Sequence, residues 1–338
     1  MIATETIVQR QGKMKAAVCT AYGPPEVMRI SDMPTPVPGD NGVLIRVCAS
    51  TVTMGDCEIR TLTLPRWTRV PMRILMGYSK PGNFITGMEF SGVVEGIGRN
   101  VTRYKIGDEV FGSSGMSMGA NAEYIVRPAT GLAIKPKGIS HEEAATISVG
   151  GINALHFLRK ANIKPGQKVL VIGGGGAIGS YGVMLAKYYG AEVTGVDSAV
   201  KLDMLYSIGC SHVIDFGKED FSTNGIKYNV IFDTVYVSRF SKCVDSLTDG
   251  GSYLMANTDP SRMLRALWVD RTTKKKLIFS LAGETEPELI FLADLIAAGK
   301  IKPYVDRIFP LDQIAEAHAY VENGLKRGCV VISHRTTQ

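Results

Sequence analysis

The chain has 338 residues, of which 45% are hydrophobic and 21% are charged, as in an ordinary soluble globular protein. This length suits two domains, each large enough to bury a core of its own. The net charge of +6 is spread over 38 basic and 32 acidic residues. Such a balance favours anionic ligands slightly and does not by itself indicate nucleic-acid binding.

Six cysteines are scattered along the chain without a C-x-x-C pair, which argues against a zinc knot or a disulfide framework. Reduced thiols in a cytoplasmic protein are the simplest interpretation. Residues 1–13 lack the apolar core and the cleavage site of a secretory signal, and we expect a loose extension there. No apolar run is long enough to cross a bilayer, so no membrane partner is expected.

The first part of the chain, to about residue 126, has the pattern of antiparallel strands separated by turns. The strand-like stretches are MKAAVCT, GVLIRVCAS, FSGVVEGIG and GDEVFG. A Gly-Pro-Pro turn at residues 23–25 and a Pro-rich connection at residues 34–38 separate the first of them. A β-rich unit is therefore predicted at the start of the chain.

From Ser140 the pattern becomes helical and then alternates between strand and helix. Ser140 and Glu143 match the Ser-x-x-Glu capping box, and apolar spacing predicts one helix over SHEEAATISVGGINALHFLRKA. A doubly wound parallel sheet of about six strands is predicted next. Its strand candidates start at Lys168, Glu192, His212, Asn229, Gly251 and Lys276. The tail predicts helices at 287–298 and 311–322 and a closing strand, CVVIS.

The stretch KVLVIGGGGAIGS carries a dinucleotide-binding pattern between a buried strand and a helix. Gly174, Gly176 and Gly179 have the G-x-G-x-x-G spacing. In this pattern the first glycine permits a tight turn, the second lets a pyrophosphate approach the backbone, and the third lets helix and strand pack closely. A dinucleotide site is predicted here, and a purely structural turn is the alternative.

Residues after these glycines are also assigned to the cofactor. Ala177 and Ile178 begin the helix, whose free N–H groups and dipole attract phosphates. Asp197 ends the next strand, where its carboxylate can bond both ribose hydroxyls of NAD and repel the 2′-phosphate of NADP. Ser198 and Lys201 could still receive that phosphate, and Lys201 could equally be a plain surface lysine. The pattern slightly favours NAD over NADP.

Six passages between Met14 and Ser333 carry a family resemblance. They are MKAAVCTAYGPPEVM, GMEFSGVVEGIGRNVTRYKIGDEVFG, AEYIV, KVLVIGGGGAIGSYGVMLAKYYGAEVTGVD, NVIFDTV and FPLDQIAEAHAYVENGLKRGCVVI. With them the chain resembles the medium-chain dehydrogenase/reductase superfamily, in its zinc-free quinone-oxidoreductase-like branch.

The resemblance implies an α/β protein with two domains. A GroES-like β-barrel catalytic domain would be built from residues 1–148 and 283–338, and a Rossmann dinucleotide-binding domain, a doubly wound parallel sheet, from residues 149–282. The resemblance also implies that the nicotinamide meets the substrate in a cleft between the domains. It suggests a homodimer joined through the edge strands of the Rossmann sheets.

The alcohol dehydrogenases of this superfamily use a catalytic zinc, and this chain departs from their pattern. Thr53 occupies the position of a cysteine ligand, and Met88 replaces the histidine of their Gly-His-Glu. A hydroxyl and a thioether do not complete a usual zinc site. Between Glu89 and Glu123, where a second, structural zinc would need clustered cysteines, the chain has none. A protein without zinc is therefore predicted.

Without a metal, hydride from NAD(P)H needs an acceptor that spreads the new charge onto an oxygen, such as a quinone, an enone or a related activated carbonyl compound. In the loop TVTMGD, Thr53 and Asp56 are the candidate catalytic residues, which would donate to or orient a carbonyl. Alternatively, Thr53 ends a strand and Asp56 is a helix N-cap. A non-catalytic nucleotide-binding protein with a structural, sensing or RNA-binding role is the alternative function.

The segment LPRWTRVPMRILMGYSKPG mixes basic and aromatic residues. The basic ones are Arg66, Arg69, Arg73 and Lys80, and the aromatic ones are Trp67 and Tyr78. This pattern is typical of an RNA or anionic-ligand surface, or it is an excursion of the catalytic domain that lines the substrate cleft. The resemblance favours the cleft, so no nucleic-acid partner is expected.

The five histidines have no nucleophile or metal partner visible in the sequence, and we expect structural or solvated roles for them. His141 and His156 lie in the helical entry to the predicted parallel sheet. His212 begins a strand, His318 lies on a tail helix, and His334 is expected in a frayed tail.

Overall fold

A computed structural model of the chain describes residues 12–334, except 64–65, 79–80, 83, 237 and 284. The expected loose extension, residues 1–13, lies almost wholly outside the described residues. The strands are β1 (Lys13–Cys19), β2 (Met28–Pro34), β3 (Gly42–Val52), β4 (Phe84–Ile85), β5 (Glu89–Ile97), β6 (Glu109–Ser113), β7 (Tyr124–Pro128), β8 (Leu132–Ile134), β9 (Lys168–Ile172), β10 (Glu192–Asp197), β11 (His212–Asp215), β12 (Tyr228–Asp233), β13 (Leu247–Met255), β14 (Lys276–Phe279), β15 (Val305–Pro310) and β16 (Cys329–Ser333).

In the second half of the chain, helices cover both faces of the parallel sheet. Other helices connect this half to the first. The helices are α1 (Met54–Thr61), α2 (Arg66–Met76), α3 (His141–Ala144), α4 (Ser148–Ala161), α5 (Ala177–Tyr188), α6 (Leu202–Ile208), α7 (Phe240–Asp245), α8 (Pro260–Thr272), α9 (Glu286–Ala297) and α10 (Ile314–Glu322). Among the helices of the described residues, none is both long and apolar enough to cross a bilayer.

The parallel sheet has six strands in the order β11-β10-β9-β12-β13-β14. This is the order of the doubly wound dinucleotide-binding fold, and it places β9 beside the point where the strand order reverses. Val169, Leu170 and Val171 of β9 are fully buried because helices cover both faces of the sheet. The predicted Rossmann fold is confirmed. Of the predicted strands, β13 differs most, because it begins four residues before Gly251.

The β-rich part consists of a seven-stranded sheet and a three-stranded sheet, β2-β1-β4. In the larger sheet the order is β15-β16-β3-β5-β6-β8, and β7 also pairs with β3. The last strand of the chain, β16, pairs antiparallel with β3, with Val330 opposite Val52. Both ends of the chain therefore build this sheet. The sequence did not predict β15, which runs parallel to β16.

The helix predicted from Ser140 onward is two helices, α3 and α4. The capping box is present as predicted, because Ser140 Oγ accepts from the Glu143 N–H and the Glu143 carboxylate accepts from the Ser140 N–H. The chain then breaks at residues 145–147. Thr146 Oγ1 donates to the Glu143 carbonyl, and the Val149 N–H at the start of α4 donates to Glu89 Oε2 at 2.7 Å. A buried carboxylate from β5 thus fixes the start of α4.

Candidate functional site

The turn after β9 is made by Gly173, which has a φ of +76°. A β-carbon at this position would lie 2.6 Å from Thr234 Oγ1, so only glycine fits. This corrects the assignment of the tight turn to Gly174, which is not among the positive-φ glycines. Gly174 is needed for packing instead, because a β-carbon there would lie 2.9 Å from Leu205 Cδ2.

Gly179 and Gly176 differ in what surrounds them. A β-carbon on Gly179 would lie 2.0 Å from the Gly173 carbonyl oxygen, in agreement with its predicted role in close packing. A β-carbon on Gly176 would contact only that same oxygen, at 3.4 Å, so the outer side of Gly176 is open. This is the geometry that lets a pyrophosphate approach the backbone.

Gly176 is also the N-cap of α5, and no side chain caps this helix. Ala177 and Ile178 form its first turn and are half-buried. The N–H groups of an uncapped first turn have no partner within the helix, and the helix dipole adds positive potential at the same place. The start of α5 is therefore suited to hold phosphate oxygens.

Asp197, the last residue of β10, is buried beside the glycine loop and connects the strand to it. Its Oδ2 accepts from the Gly175 N–H at 2.8 Å, and its Oδ1 accepts from the Ser198 N–H at 2.8 Å. Lys201 Nζ lies 3.1 Å from Oδ1. Lys201 is itself buried, so the alternative of a plain surface lysine is wrong. The structure thus brings together Asp197, Ser198 and Lys201 at the loop.

The lysine stem passes directly over the loop. A β-carbon on Gly175 would lie 2.5 Å from Lys201 Cδ and 3.0 Å from Asp197 Oδ2. A side chain at Gly175 would therefore displace the Asp197–Lys201 pair, which fills the space above it. The sequence pattern did not single out Gly175, since the G-x-G-x-x-G spacing treats it as variable.

Two residues near the loop escaped the sequence analysis. Phe216 follows β11, its N–H donates to the Asp197 carbonyl at 3.2 Å, and it is 65% exposed. An exposed aromatic ring at the carboxyl edge of the sheet offers a stacking surface for an adenine. The only signal for it in the sequence is an aromatic residue directly after a predicted strand.

The second missed residue is Lys326, from the segment that precedes β16. It is buried, its Nζ donates to the Gly328 carbonyl at 2.8 Å, and burial lowers the pKa of its ammonium group. The Gly328 N–H in turn donates to the Gly175 carbonyl at 2.8 Å. This segment therefore connects the β-rich part to the glycine loop, and nothing in the sequence pattern indicated the contact.

Thr53 and Asp56 form a capping box at the start of α1. Thr53 is the N-cap, and its Oγ1 accepts from the Asp56 N–H at 3.2 Å. Asp56 Oδ2 accepts from the Thr53 N–H at 2.8 Å and from its hydroxyl at 2.6 Å, while Oδ1 accepts from the Gly87 N–H at 3.0 Å. The alternative that made Asp56 the N-cap is wrong, because Asp56 is the third residue of the helix.

Asp56 is fully buried, and this burial raises the pKa of its carboxyl group against the opposing effect of its hydrogen bonds. Its two oxygens are already occupied by three donors from Thr53 and Gly87. Thr53, by contrast, is half-buried. Of the two predicted catalytic residues, only Thr53 has a partly exposed side chain, and Asp56 fixes its orientation.

The donors at the place of a catalytic zinc do not fit that metal. The Thr53 hydroxyl is bonded to Asp56, and Met88 offers only a thioether. Glu89 is buried, and its oxygens accept from the Thr51 hydroxyl at 3.0 Å and from the Val149 N–H at 2.7 Å. Across the described part of the chain, no group of three or more His, Cys, Asp or Glu residues could hold a metal ion.

The histidines include one thiol–imidazole pair that the sequence did not indicate. Cys57 Sγ lies 3.4 Å from His318 Nδ1, and both residues are buried. Burial raises the pKa of the Cys57 thiol to about 12, which disfavours the thiolate form that acts as a nucleophile. His334 does not belong to a frayed tail. Its ring Nε2 lies 2.8 Å from Ser50 Oγ, and its backbone N–H donates to the Cys48 carbonyl.

Within the basic segment of residues 64–82, residues 66–76 form the helix α2. Lys80 lies outside the described residues, as do the side chains of Arg66 and Trp67. The Tyr22 hydroxyl donates to the Gly77 carbonyl at 2.8 Å, just beyond the end of α2. The helix follows α1 in the chain.

Comparison with known proteins matches both parts of the chain. Residues 39–137 match the alcohol dehydrogenase GroES-like domain, and residues 208–332 match the zinc-binding dehydrogenase domain. The chain is 30% identical over 344 residues to 2-methylene-furan-3-one reductase of Solanum lycopersicum, with 97% of this chain and 81% of the relative covered.

Two further proteins extend the comparison. The chain is 29% identical to the chloroplastic NADPH-dependent alkenal/one oxidoreductase of Arabidopsis thaliana, covering 95% of this chain and 79% of the relative. The solved quinone oxidoreductase of Coxiella burnetii superposes with a TM-score of 0.85 at 27% identity, covering 96% of this chain and all of that one. The chain therefore belongs to the medium-chain dehydrogenase/reductase superfamily of NAD(P)H-dependent oxidoreductases, in its quinone-oxidoreductase-like branch.

Proposed function

We propose that this protein is a zinc-independent reductase that transfers hydride from NAD(P)H to a quinone, an enone or a related activated carbonyl compound. The observation that carries the proposal is the occupied capping box at Thr53. Thr53 stands where the zinc-dependent relatives of the superfamily place a metal ligand. Hydrogen bonds would therefore have to polarise the substrate oxygen. A conjugated acceptor suits that limit, because it spreads the incoming charge.

The bound nicotinamide would supply the hydride, and the chain's own residues would hold and orient the reactants. The open side of Gly176 and the uncapped start of α5 would bind the pyrophosphate. The exposed ring of Phe216 would stack on the adenine. Lys326 and Gly328 would fix the glycine loop against the β-rich part, which keeps the cofactor aligned with the substrate.

Thr53 would donate a hydrogen bond to the substrate oxygen as negative charge develops there. Its hydroxyl has one proton, which it now donates to Asp56 Oδ2 at 2.6 Å. If that proton turns to the substrate, Asp56 Oδ2 still accepts from the Thr53 N–H, and Thr53 Oγ1 still accepts from the Asp56 N–H. Turning the Thr53 hydroxyl to the substrate thus breaks only its bond to Asp56 Oδ2 and leaves the turn in place.

For the cofactor we propose NADH in preference to NADPH. The Asp197 carboxylate stays at the end of β10, where it would repel a 2′-phosphate. Lys201 lies within 3.1 Å of that carboxylate, so its positive charge is already compensated. Lys201 would therefore attract a 2′-phosphate less than a free lysine would, with the Asp197 carboxylate close by. The relative from Arabidopsis thaliana is NADPH-dependent by name, which makes the preference worth measuring.

We also propose a homodimer in the cytoplasm. β14 is an edge strand that pairs with β13 alone among the described strands, and α8 beside it exposes Leu264, Leu267 and Trp268. A second copy could extend the sheet there and cover these side chains. All six cysteines are free thiols, which suits a reducing compartment. Light scattering of the native protein measures its mass.

The decisive experiment is steady-state oxidation of NADH and NADPH with a panel of quinones, enones and simple alcohols. Turnover with conjugated acceptors and none with alcohols is the expected result. Tight cofactor binding without turnover on any acceptor would instead support the alternative, a nucleotide-binding protein of the same fold without catalysis.

A further inference from the structure

The residues that follow β12 lie directly against the glycine loop. We call residues 234–236 and 238 the β12 loop. A β-carbon on Gly173 would lie 2.6 Å from Thr234 Oγ1. The Thr234 hydroxyl also donates to the Ile172 carbonyl at 2.9 Å, at the end of β9. Because β9 lies between β10 and β12, the β12 loop and the end of β10 flank the turn after β9 from its two sides.

This position assigns one half of the cofactor to the β12 loop. In a doubly wound sheet a dinucleotide lies across the point where the strand order reverses, which here is between β9 and β12. In the proposed function, the pyrophosphate lies at Gly176 and the adenosine lies beside Asp197 and Phe216, on the side of β10 and β11. The nicotinamide half must therefore extend to the other side, past the β12 loop.

Arg262, a side chain of α8, holds the shape of the β12 loop. Its Nη2 donates to the Tyr236 carbonyl at 2.7 Å and to the Ser238 carbonyl at 2.6 Å. Its guanidinium carbon lies 4.4 Å from the centroid of the Tyr236 ring, which is a cation–π contact. A single guanidinium group thus fixes two carbonyls and one ring of the same loop.

The start of α8 is itself tied to the β12 loop. Asp259 is the N-cap of this helix, and its Oδ1 accepts from the Arg262 N–H at 3.1 Å. Asp259 Oδ2 accepts from the Tyr236 hydroxyl. The Asn257 side-chain amide donates to the Thr234 carbonyl at 2.9 Å. The segment between β13 and α8 therefore gives Arg262 a fixed base from which it contacts the loop.

Two carboxylates lie near the Arg262 guanidinium, whose side chain is only 13% exposed. Its Nε lies 3.9 Å from Asp259 Oδ2, and its Nη1 lies 4.0 Å from Asp233 Oδ2. Asp233 is fully buried, and its Oδ2 accepts from the Tyr253 hydroxyl at 2.8 Å. Both distances exceed hydrogen-bond length, so the acids attract the guanidinium without taking the hydrogen bonds that it makes to the β12 loop.

We propose that Arg262 is a positioning residue for the nicotinamide half of the cofactor. It would hold the β12 loop in the shape that the nicotinamide contacts, without touching the cofactor itself. This role rests on the proposed function of the glycine loop as a dinucleotide site, and it does not depend on which acceptor is reduced. No local pattern in the sequence connects Arg262 to the glycines, because the fold alone brings α8 to the loop.

The test compares two ligands that differ only in the nicotinamide, NADH and ADP-ribose. Arg262→Met keeps a long apolar side chain and removes the donors and the charge. In calorimetric titrations the Kd of NADH should rise about tenfold, while the Kd of ADP-ribose should stay within about twofold of the wild-type value. An equal rise for both ligands would make Arg262 a support of the whole domain and would overturn the proposal, as would no rise for either.

Two further variants locate the effect at the guanidinium. Arg262→Lys keeps the charge and a donor but loses the planar group that contacts the Tyr236 ring, so the Kd of NADH should rise only about threefold. Arg265→Met, at an exposed arginine of the same helix, should bind both ligands as the wild type does. Equal losses in Arg262→Met and Arg265→Met would overturn the proposal. If Arg262→Met does not fold, Arg262→Lys carries the same comparison.

These measurements separate the role of Arg262 from the proposed reductase activity, because turnover does not enter them. A protein that binds NADH in this way but reduces no acceptor would fail the proposed activity and still confirm the positioning role. A wild type that binds ADP-ribose as tightly as NADH would overturn the positioning role, because the protein would then make no contact with the nicotinamide that strengthens binding.

Discussion

The glycine loop and the Thr53 turn are both places where a strand ends and a helix begins, yet their polar groups are treated in opposite ways. At the start of α1, Thr53 and Asp56 satisfy each other's backbone N–H groups. At the start of α5, Gly176 leaves the first N–H groups uncapped. A helix start without a cap costs about 1 kcal/mol, which a bound phosphate can return. The uncapped turn at Gly176, which we call the open turn, is thus the one suited to a ligand. The capped turn at Thr53 and Asp56 is called the closed turn.

The largest effect is expected from Gly176→Val, which closes the open turn. A β-carbon at Gly176 meets nothing nearer than 3.4 Å, so the domain should still fold. The branched side chain would stand where the pyrophosphate approaches. NADH affinity measured by fluorescence titration should fall by about a hundredfold or more, equivalent to about 2.7 kcal/mol.

Gly179→Ala is the matched control for that substitution. Its β-carbon would lie 2.0 Å from the Gly173 carbonyl oxygen, so this variant should lose thermal stability as well as cofactor binding. If Gly176→Val binds NADH as tightly as the wild type does, the pyrophosphate does not lie at this turn.

Thr53→Val tests the closed turn. Valine keeps the shape of threonine and removes the hydroxyl, so kcat for a quinone should fall by about a hundredfold, as for the loss of an oxyanion donor. The lost N-cap should also cost about 1 kcal/mol in the free energy of unfolding. Thr53→Ser keeps the hydroxyl and should retain most of kcat. A Thr53→Val enzyme with normal kcat would leave Thr53 a purely structural role.

The sequence predicted the parts of the site that follow from local pattern. The glycine loop, the capping box at Ser140 and six parallel strands depend on spacing and composition within short windows. The position of the positive φ at Gly173 was not predictable, because Gly173 precedes the one register in which the motif fits and the motif does not record backbone angles. The sequence did not show that Thr53, and not Asp56, is the N-cap of α1, because either side chain can accept from a helix N–H.

Contacts between distant segments were beyond the sequence. Lys326 and Gly328 reach the glycine loop only because β16 pairs with β3 and brings the end of the chain back to the site. The burial of Lys201 depends on Asp197 and on the small size of Gly175. Such contacts arise from the tertiary fold, and no local pattern records them.

Asp197→Ser measures how far the open turn depends on its carboxylate. The change removes an acceptor from the Gly175 N–H and, by the proposal, from the ribose, so NADH binding should weaken by about 1.5–3 kcal/mol. NADPH binding should improve, because Lys201 would lose its partner and could pair with the 2′-phosphate. Calorimetric titration of both cofactors gives the ratio. A wild type that already prefers NADPH, with a ratio that the substitution leaves alone, would contradict the assignment.

The smallest effect is expected from a metal chelator, and it bears on the closed turn. The Thr53 hydroxyl is bonded to Asp56, Met88 is a thioether, and both Glu89 oxygens accept from Thr51 and Val149. To bind zinc here, the protein would have to break the capping box and release the start of α4, with only one charged ligand gained in return. Prolonged treatment with EDTA should therefore leave kcat and Tm unchanged, and elemental analysis of the untreated protein should find no stoichiometric zinc. One zinc per chain, with activity lost on its removal and regained on its return, would mean that Thr53 and Asp56 do not hold the turn closed in the working enzyme.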